Sequence, residues 1–165
     1  DFIRSILEYS SNSKEGIANE KIDFNGIIDD IIDDLKYFEQ AEKVTLHREI
    51  ENIDFHSDAK RLKIVLSNLI ANAIKYHNYR QEKPRINVNF RKEGEKVLLE
   101  VTDNGQGIAE EYLSTIFNMF VRASDASSGS GLGLYIVKDT VEKLGGKISV
   151  DSQLGVGTTF TIEFV

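Results

Sequence analysis

Hydrophobic positions recur along this chain in two rhythms, one helical and one alternating, and breaks between them mark the elements. From Asp23 the run "DFNGIIDDIIDDLKYFEQAEK" sets Ile27, Ile28, Ile31, Ile32, Leu35 and Phe38 on one helical face. Asp29, Asp30, Asp33 and Asp34 take the other, a solvated face rather than a metal site. The stretch "SDAKRLKIVLSNLIANAIKYHN" predicts a longer helix, opened by Ser57 or Asp58 as N-cap. Leu62, Leu66, Leu69, Ile70 and Ala73 form its core side. "GLGLYIVKDTVEKLG" repeats the helical spacing and stops at Gly145-Gly146. "AEEYLSTIFNMF" predicts a short helix. Alternation marks strands in "VTLHREI", "RINVNFRKEG" and "KVLLEVTDNG", and two more in "KISVDSQLGVGTTFTIEFV". "KEGEK" and a glycine-rich turn close the two hairpins.

The order is helix, strand, long helix, hairpin, short helix, loop, helix, hairpin. It predicts an α+β fold: a two-layer α/β sandwich with about three helices on one face of a mixed, mostly antiparallel sheet. The first eleven residues, "DFIRSILEYSS", read as helix from the first letter, with Phe2, Ile3, Ile6 and Leu7 as its stripe and no cap before it. We therefore expect a helical stub over 1–13, cut from a longer chain. A polar linker over 14–23 and one domain over 24–165 follow.

Composition narrows the chemistry. The 165 residues include no cysteine, which excludes disulfides and thiolate metal sites. His47, His56 and His77 are far apart in sequence, against a zinc site. A net charge of −7 argues against nucleic acid as a partner. No apolar run approaches the ~20 residues of a membrane span, and no signal peptide opens the chain. A soluble, cytoplasmic fragment is expected.

Three stretches carry candidate chemistry. "SSGSGLGL" places Gly129, Gly131 and Gly133 at alternate positions before a helix, where bare backbone and a helix N-terminus suit an anion. It is not a Walker A loop, since no glycine is followed by Lys-Ser or Lys-Thr, and the G-x-G-x-x-G slot is filled by Leu134. "DNGQGI" follows a strand but precedes a helix, so it is no simple hairpin turn. Asp103 ends that strand. On the long helix, Asn68, Asn72, Lys75 and Tyr76 fall within about 100° of arc. Carboxamides ligate hard cations such as Mg²⁺, and an ammonium neutralises phosphate. For one helix alone an ordinary solvent face is the preferred reading of the stripe.

Together, "NLIANAIKY", "DNGQGI", "IFNMF" and "GSGLGL" resemble the N, G1, F and G2 boxes of sensor histidine kinases, in order and at matching distances. The resemblance runs from about residue 20 to the end, where "GVGTTFTIEFV" is similar to the family's closing hairpin. It implies the Bergerat ATP-binding fold of the GHKL superfamily. The stub resembles the end of the second helix of a dimerisation and phosphoacceptor domain.

The resemblance also implies roles. Asn72, assisted by Asn68, would ligate the Mg²⁺ that bridges ATP phosphates, and Lys75 would contact a phosphate. Tyr76 would lie against adenine or ribose. Asp103 would accept from the adenine 6-amino group, and an ionised carboxylate, being acceptor-only, selects an amino purine. Gly105, Gly107 and Ile108 would flank the base. Gly129, Gly131, Leu132, Gly133 and Leu134 would form the phosphate loop and helix start. Phe117 and Phe120 would pack the lid, Arg122 would reach a phosphate, and Thr158 would share a water with Asp103.

ATPases of the superfamily carry a Glu four residues before the Mg²⁺ asparagine; here that slot is Asn68, which is no general base. Phosphoryl transfer to another acceptor is implied instead. None of the three histidines sits in a motif like H-E-[FIL]-[KR]-[NT]-P, so the phosphoacceptor is expected upstream of Asp1. Implied partners are those upstream helices, a second copy of the chain in a homodimer, and a response-regulator receiver domain. An inner-membrane anchor in the parent protein stays open. Two other functions remain open here: a non-catalytic nucleotide-binding signalling module, and an anti-sigma-type serine kinase of the same fold.

Overall fold

Alternating strands and amphipathic helices assemble as two layers. The computed structural model describes residues 10, 16–38, 40–78, 80, 83–123 and 129–165. Apart from Ser10, the helical stub expected over 1–13 lies outside them. The elements are β1 (Glu20–Lys21), α1 (Phe24–Leu35), a 3₁₀ turn (Ala41–Lys43), β2 (Thr45–Ile50), β3 (His56–Ser57), α2 (Ala59–Lys75), β4 (Arg85–Glu93), β5 (Lys96–Asp103), α3 (Glu110–Leu113), α4 (Gly133–Lys143), β6 (Lys147–Gln153) and β7 (Gly157–Phe164).

The main sheet has the order β2-β4-β5-β7-β6. Its β2–β4 edge is parallel and its other pairs antiparallel. Mixed, mostly antiparallel pairing was expected, and this is what forms. The registers Ile86↔Asp103 and Asp103↔Thr158 put Asp103 at the end of three neighbouring strands. Successive residues alternate between faces. Val88, Phe90, Leu99, Val101 and Ile162 therefore enter one core with Ile28 and Ile31 of α1, Leu62, Val65, Leu66 and Leu69 of α2, and Val137 and Val141 of α4. Each such side chain contributes roughly 1.5–3 kcal/mol on burial. Apart from Leu98, the intervening positions of β4, β5 and β7 are polar; Thr102 and Thr159 share a hydrogen bond of 3.0 Å between their hydroxyls.

One expectation shifts and one open choice is settled. α1 ends at Leu35, so Phe38 lies beyond it, 49% exposed; Ile32, 41% exposed, lies at the edge of the stripe. The backbone turns at Gln40, whose φ is 71°, and the helical rhythm of the sequence overruns that break. At the start of α2 the cap is Asp58, whose carboxylate accepts from Arg61 N–H at 2.9 Å, while Ser57 belongs to β3.

The linker is also structured. β1 pairs antiparallel with β3, too short a ribbon to show periodicity in sequence. Asp58 accepts from Ala18 N–H at 3.0 Å and pairs with the Arg61 guanidinium, which donates to the Gly16 carbonyl at 3.1 Å. Both side chains are 4% exposed. Burial alone would raise the Asp58 carboxyl pKa; the N–H groups of Ala18 and Arg61 and the guanidinium together outweigh it and hold the pKa below 3.8.

Candidate functional site

The site grows from the end of β5. Past Asp103 the chain turns back so that the Gly105 N–H donates to Asp103 Oδ1 at 2.8 Å. The Gln106 N–H then donates to the Tyr76 carbonyl at 2.9 Å, tying this loop to the C-terminus of α2. Gly107 takes φ +70°, and a Cβ there would stand 2.1 Å from the Gln153 carbonyl oxygen. Backbone therefore meets backbone in a conformation that side chains rarely adopt. Desolvation raises the Asp103 carboxyl pKa above 3.8, against the opposite pull of the Gly105 and Thr158 N–H groups.

α2 supplies the second wall. Its buried side holds it on the sheet, which leaves Asn68, Asn72, Lys75 and Tyr76 facing a cavity of about 430 Å³. Asn68 Nδ2 donates to the Ile64 carbonyl at 2.8 Å, so its Oδ1 is the end turned to α4. That oxygen stands 3.1 Å from where a Cβ on Gly133 would be. Lys75 Nζ lies 5.0 Å above the Tyr76 ring centroid.

The third wall is the mouth of α4. No side chain caps this helix, unlike the Asp-capped α1 and α2, and its first turn holds no acidic residue. Its positive end is thereby left to the cavity. Gly131 (φ +69°) is pressed against Phe120, whose N–H donates to the Gly131 carbonyl at 2.9 Å.

The cavity is lined by the α2 stripe, by Asp103, Gly107 and Ile108, by Gly129, Gly131, Gly133 and Leu134, and by Arg122 and Thr158. Gly105, Phe120 and Leu132 are not in its wall. Gly105 packs on Tyr76, Leu132 is buried at 6% exposure, and Phe120 is 62% exposed. Phe117 does pack inward, edge-on to Phe160 at 6.2 Å. Residues 124–128 of the lid lie outside the described residues.

Sequence reasoning missed Ala73, Gln106, Ile116, Leu154 and Phe160, which also line the cavity. Strand parity could have found Phe160, two residues past Thr158 on the same side of β7. Leu154 carries no such signal, because a turn places it.

Among the described residues no cluster of three His, Cys, Asp or Glu side chains could hold a metal ion alone. The α1 aspartates pair with Arg48, Lys36 and Lys63 as a charged face. The carboxamides of Asn68 and Asn72 are neutral hard-oxygen donors; they fit a Mg²⁺ whose remaining ligands come from phosphate and water. None of the histidines lines the cavity. His47 is exposed on β2, His56 lies in β3, and His77 is buried with Nδ1 2.8 Å from the Ile74 carbonyl oxygen. No helix among the described residues is long and apolar enough to cross a membrane.

Known proteins bear on this geometry. The model of a family described as histidine kinase-, DNA gyrase B- and HSP90-like ATPase matches residues 57–165. The chain is 33% identical over 171 residues to the sensor histidine kinase AruS of Pseudomonas aeruginosa, covering 98% of this chain and 17% of that protein. It is 35% identical over 175 residues to the autoinducer 2 sensor kinase/phosphatase LuxQ of Vibrio vulnificus, covering 96% and 20%. The chain thus spans about a fifth of the length of these relatives. Among solved structures it superposes on the catalytic domain of histidine kinase ThkA with a TM-score of 0.71 at 27% identity, covering 89% of this chain and 95% of that one.

Proposed function

The chain belongs to the histidine kinase-, DNA gyrase B- and HSP90-like ATPase family, and from that premise we propose that it is the ATP-binding catalytic domain of a two-component sensor histidine kinase. It binds Mg·ATP and donates the γ-phosphoryl group to a histidine on a dimerisation domain, from which a response-regulator aspartate takes it. The observation that carries this reading is the single cavity in which the Asn68–Asn72–Lys75 stripe, the Asp103 carboxylate and the uncapped start of α4 meet.

Each wall has one task. Asp103, ionised, accepts from the 6-amino group of adenine and repels a keto purine. Tyr76, Ile108 and Leu154 shield the base. Lys75 and the N–H groups at the start of α4 hold the phosphates. Asn72 and Asn68 would hold Mg²⁺ against them; when bound, the ion neutralises phosphate charge. Asn68 takes no proton from water, so ATP is kept for an imidazole acceptor rather than hydrolysed quickly. Positioning and charge stabilisation carry the transfer.

Calorimetric titration tests the reading. ATP should bind more tightly than GTP by about tenfold, the worth of one charge-assisted hydrogen bond. Asp103→Ala should erase the difference. Equal affinity of the unmutated chain for the two nucleotides would overturn the assignment.

A further inference from the structure

The closing hairpin carries a hydroxyl that none of these tasks uses. Ser152 lies half-buried on β6, on the same side of the strand as Ile148 and Val150, which pack on the core. Its Oγ accepts from the Ile108 N–H at 2.8 Å. It donates to the Gly157 carbonyl at 2.9 Å, and it lies 2.8 Å from Thr158 Oγ1. A hydroxyl has one hydrogen and two lone pairs. Three partners use all of that capacity, with the Thr158 hydroxyl donating to Ser152.

Two of these partners, Ile108 and Thr158, line the cavity from different segments of the chain. Ile108 ends the loop that follows Asp103. Thr158 stands opposite Asp103 in the β5–β7 register, and its N–H holds the Asp103 carboxylate. Contacts on either side of Ser152 repeat the junction. The Gly155 N–H donates to the Gln106 carbonyl at 2.7 Å, and the Gly107 backbone lies against Gln153. Both of these contacts are backbone to backbone, and Ser152 adds a side-chain link between loop and hairpin.

We infer that Ser152 is a positioning residue for nucleobase recognition: it locks the 104–108 loop to Thr158, so that Asp103, Gly107 and Thr158 face the purine as one rigid unit. The inference rests on the nucleotide site proposed above. It differs from a purely structural role in what it moves. Loss of a structural bond lowers the unfolding temperature and leaves the folded site's preferences alone. Loss of a positioning bond changes discrimination at the base end and spares the phosphate end.

The test is titration of the 165-residue chain with Mg·ATP, Mg·GTP and Mg·tripolyphosphate, each well below the variant's unfolding temperature. Ser152→Ala should lower ATP affinity by roughly tenfold, the loss of one to two neutral hydrogen bonds, with GTP and tripolyphosphate affinities unchanged. Ser152→Thr, which keeps the hydroxyl, should restore most of the ATP:GTP ratio. Ser152→Cys keeps the volume with a weak donor and should behave as Ser152→Ala; it decides the matter if the alanine variant does not fold. An unchanged ATP:GTP ratio in a folded variant, or an equal fall for ATP and tripolyphosphate, overturns the inference while the nucleotide site stands. No ATP preference in the unmutated chain overturns both.

Discussion

Asp103 shows how one side chain couples stability to recognition. Its carboxyl pKa is raised by burial, so desolvation works against the charged form that an amino purine demands. The signs follow by linkage. A folded-state pKa above the unfolded value contributes stability below about 3.8 that is lost as pH rises through the raised value. Asp58 acts in the opposite sense, its lowered pKa giving stability above 3.8 that is lost as pH falls. Thermal unfolding against pH for the unmutated chain and Asp103→Asn isolates the first term, since Asp58 is common to both. The unmutated chain should gain on the variant as pH falls through the raised value toward 3.8, and its ATP affinity should fall over the same interval. Asn72 makes a separate prediction. Asn72→Ala should cost about tenfold in ATP affinity when Mg²⁺ is present and little in its absence, as calorimetry with and without a chelator would show. Sequence singled out Asn72 because asparagine is a weak helix former on a surface helix, and Asp103 because it ends a strand just before a glycine pair. Ser152 and Leu154 were not legible, since only the folded hairpin brings them to the loop.

At the scale of elements, two junctions hold the cavity's walls. The first is the start of α2, where Asp58 caps the helix, binds the linker and pairs with buried Arg61. Arg61→Ala leaves that buried carboxylate its N–H donors but removes its counter-charge. It should cost about 3–5 kcal/mol of stability, read as a lowered denaturant midpoint at unchanged slope. The second is the entry to α4. A Cβ on Gly131 would stand 2.7 Å from Phe120 Cα, at a φ that side chains rarely adopt. Gly131→Ala should therefore destabilise by about 1–3 kcal/mol and weaken ATP binding, measured by unfolding and titration together. The helices and both hairpins could be predicted because their periodicity runs over many residues. The overrun of α1 and the unseen β1–β3 ribbon mark where it fails: a turn at Gln40 interrupts no hydrophobic pattern, and two-residue strands have none.

At the scale of the whole molecule, the proposed chemistry needs an acceptor that the cavity does not hold. The exposed His47, the strand residue His56 and the buried His77 all lie outside its wall. Incubated alone with γ-labelled ATP, the chain should bind nucleotide without forming phosphohistidine; acid-labile, alkali-stable label on it would contradict this. The sequence by itself determined which segments are helices and hairpins and that the sheet would be mostly antiparallel, and it offered candidate residues for phosphate, metal and base. Those follow from local pattern, because apolar spacing dictates which face each element buries. The tertiary structure alone decided the strand order β2-β4-β5-β7-β6, the register that sets Asp103 beside Thr158, and the exclusion of Phe120 and Leu132 from the cavity. Those depend on pairing between segments far apart in the chain, and no local pattern encodes which partner a strand end or a loop backbone will meet.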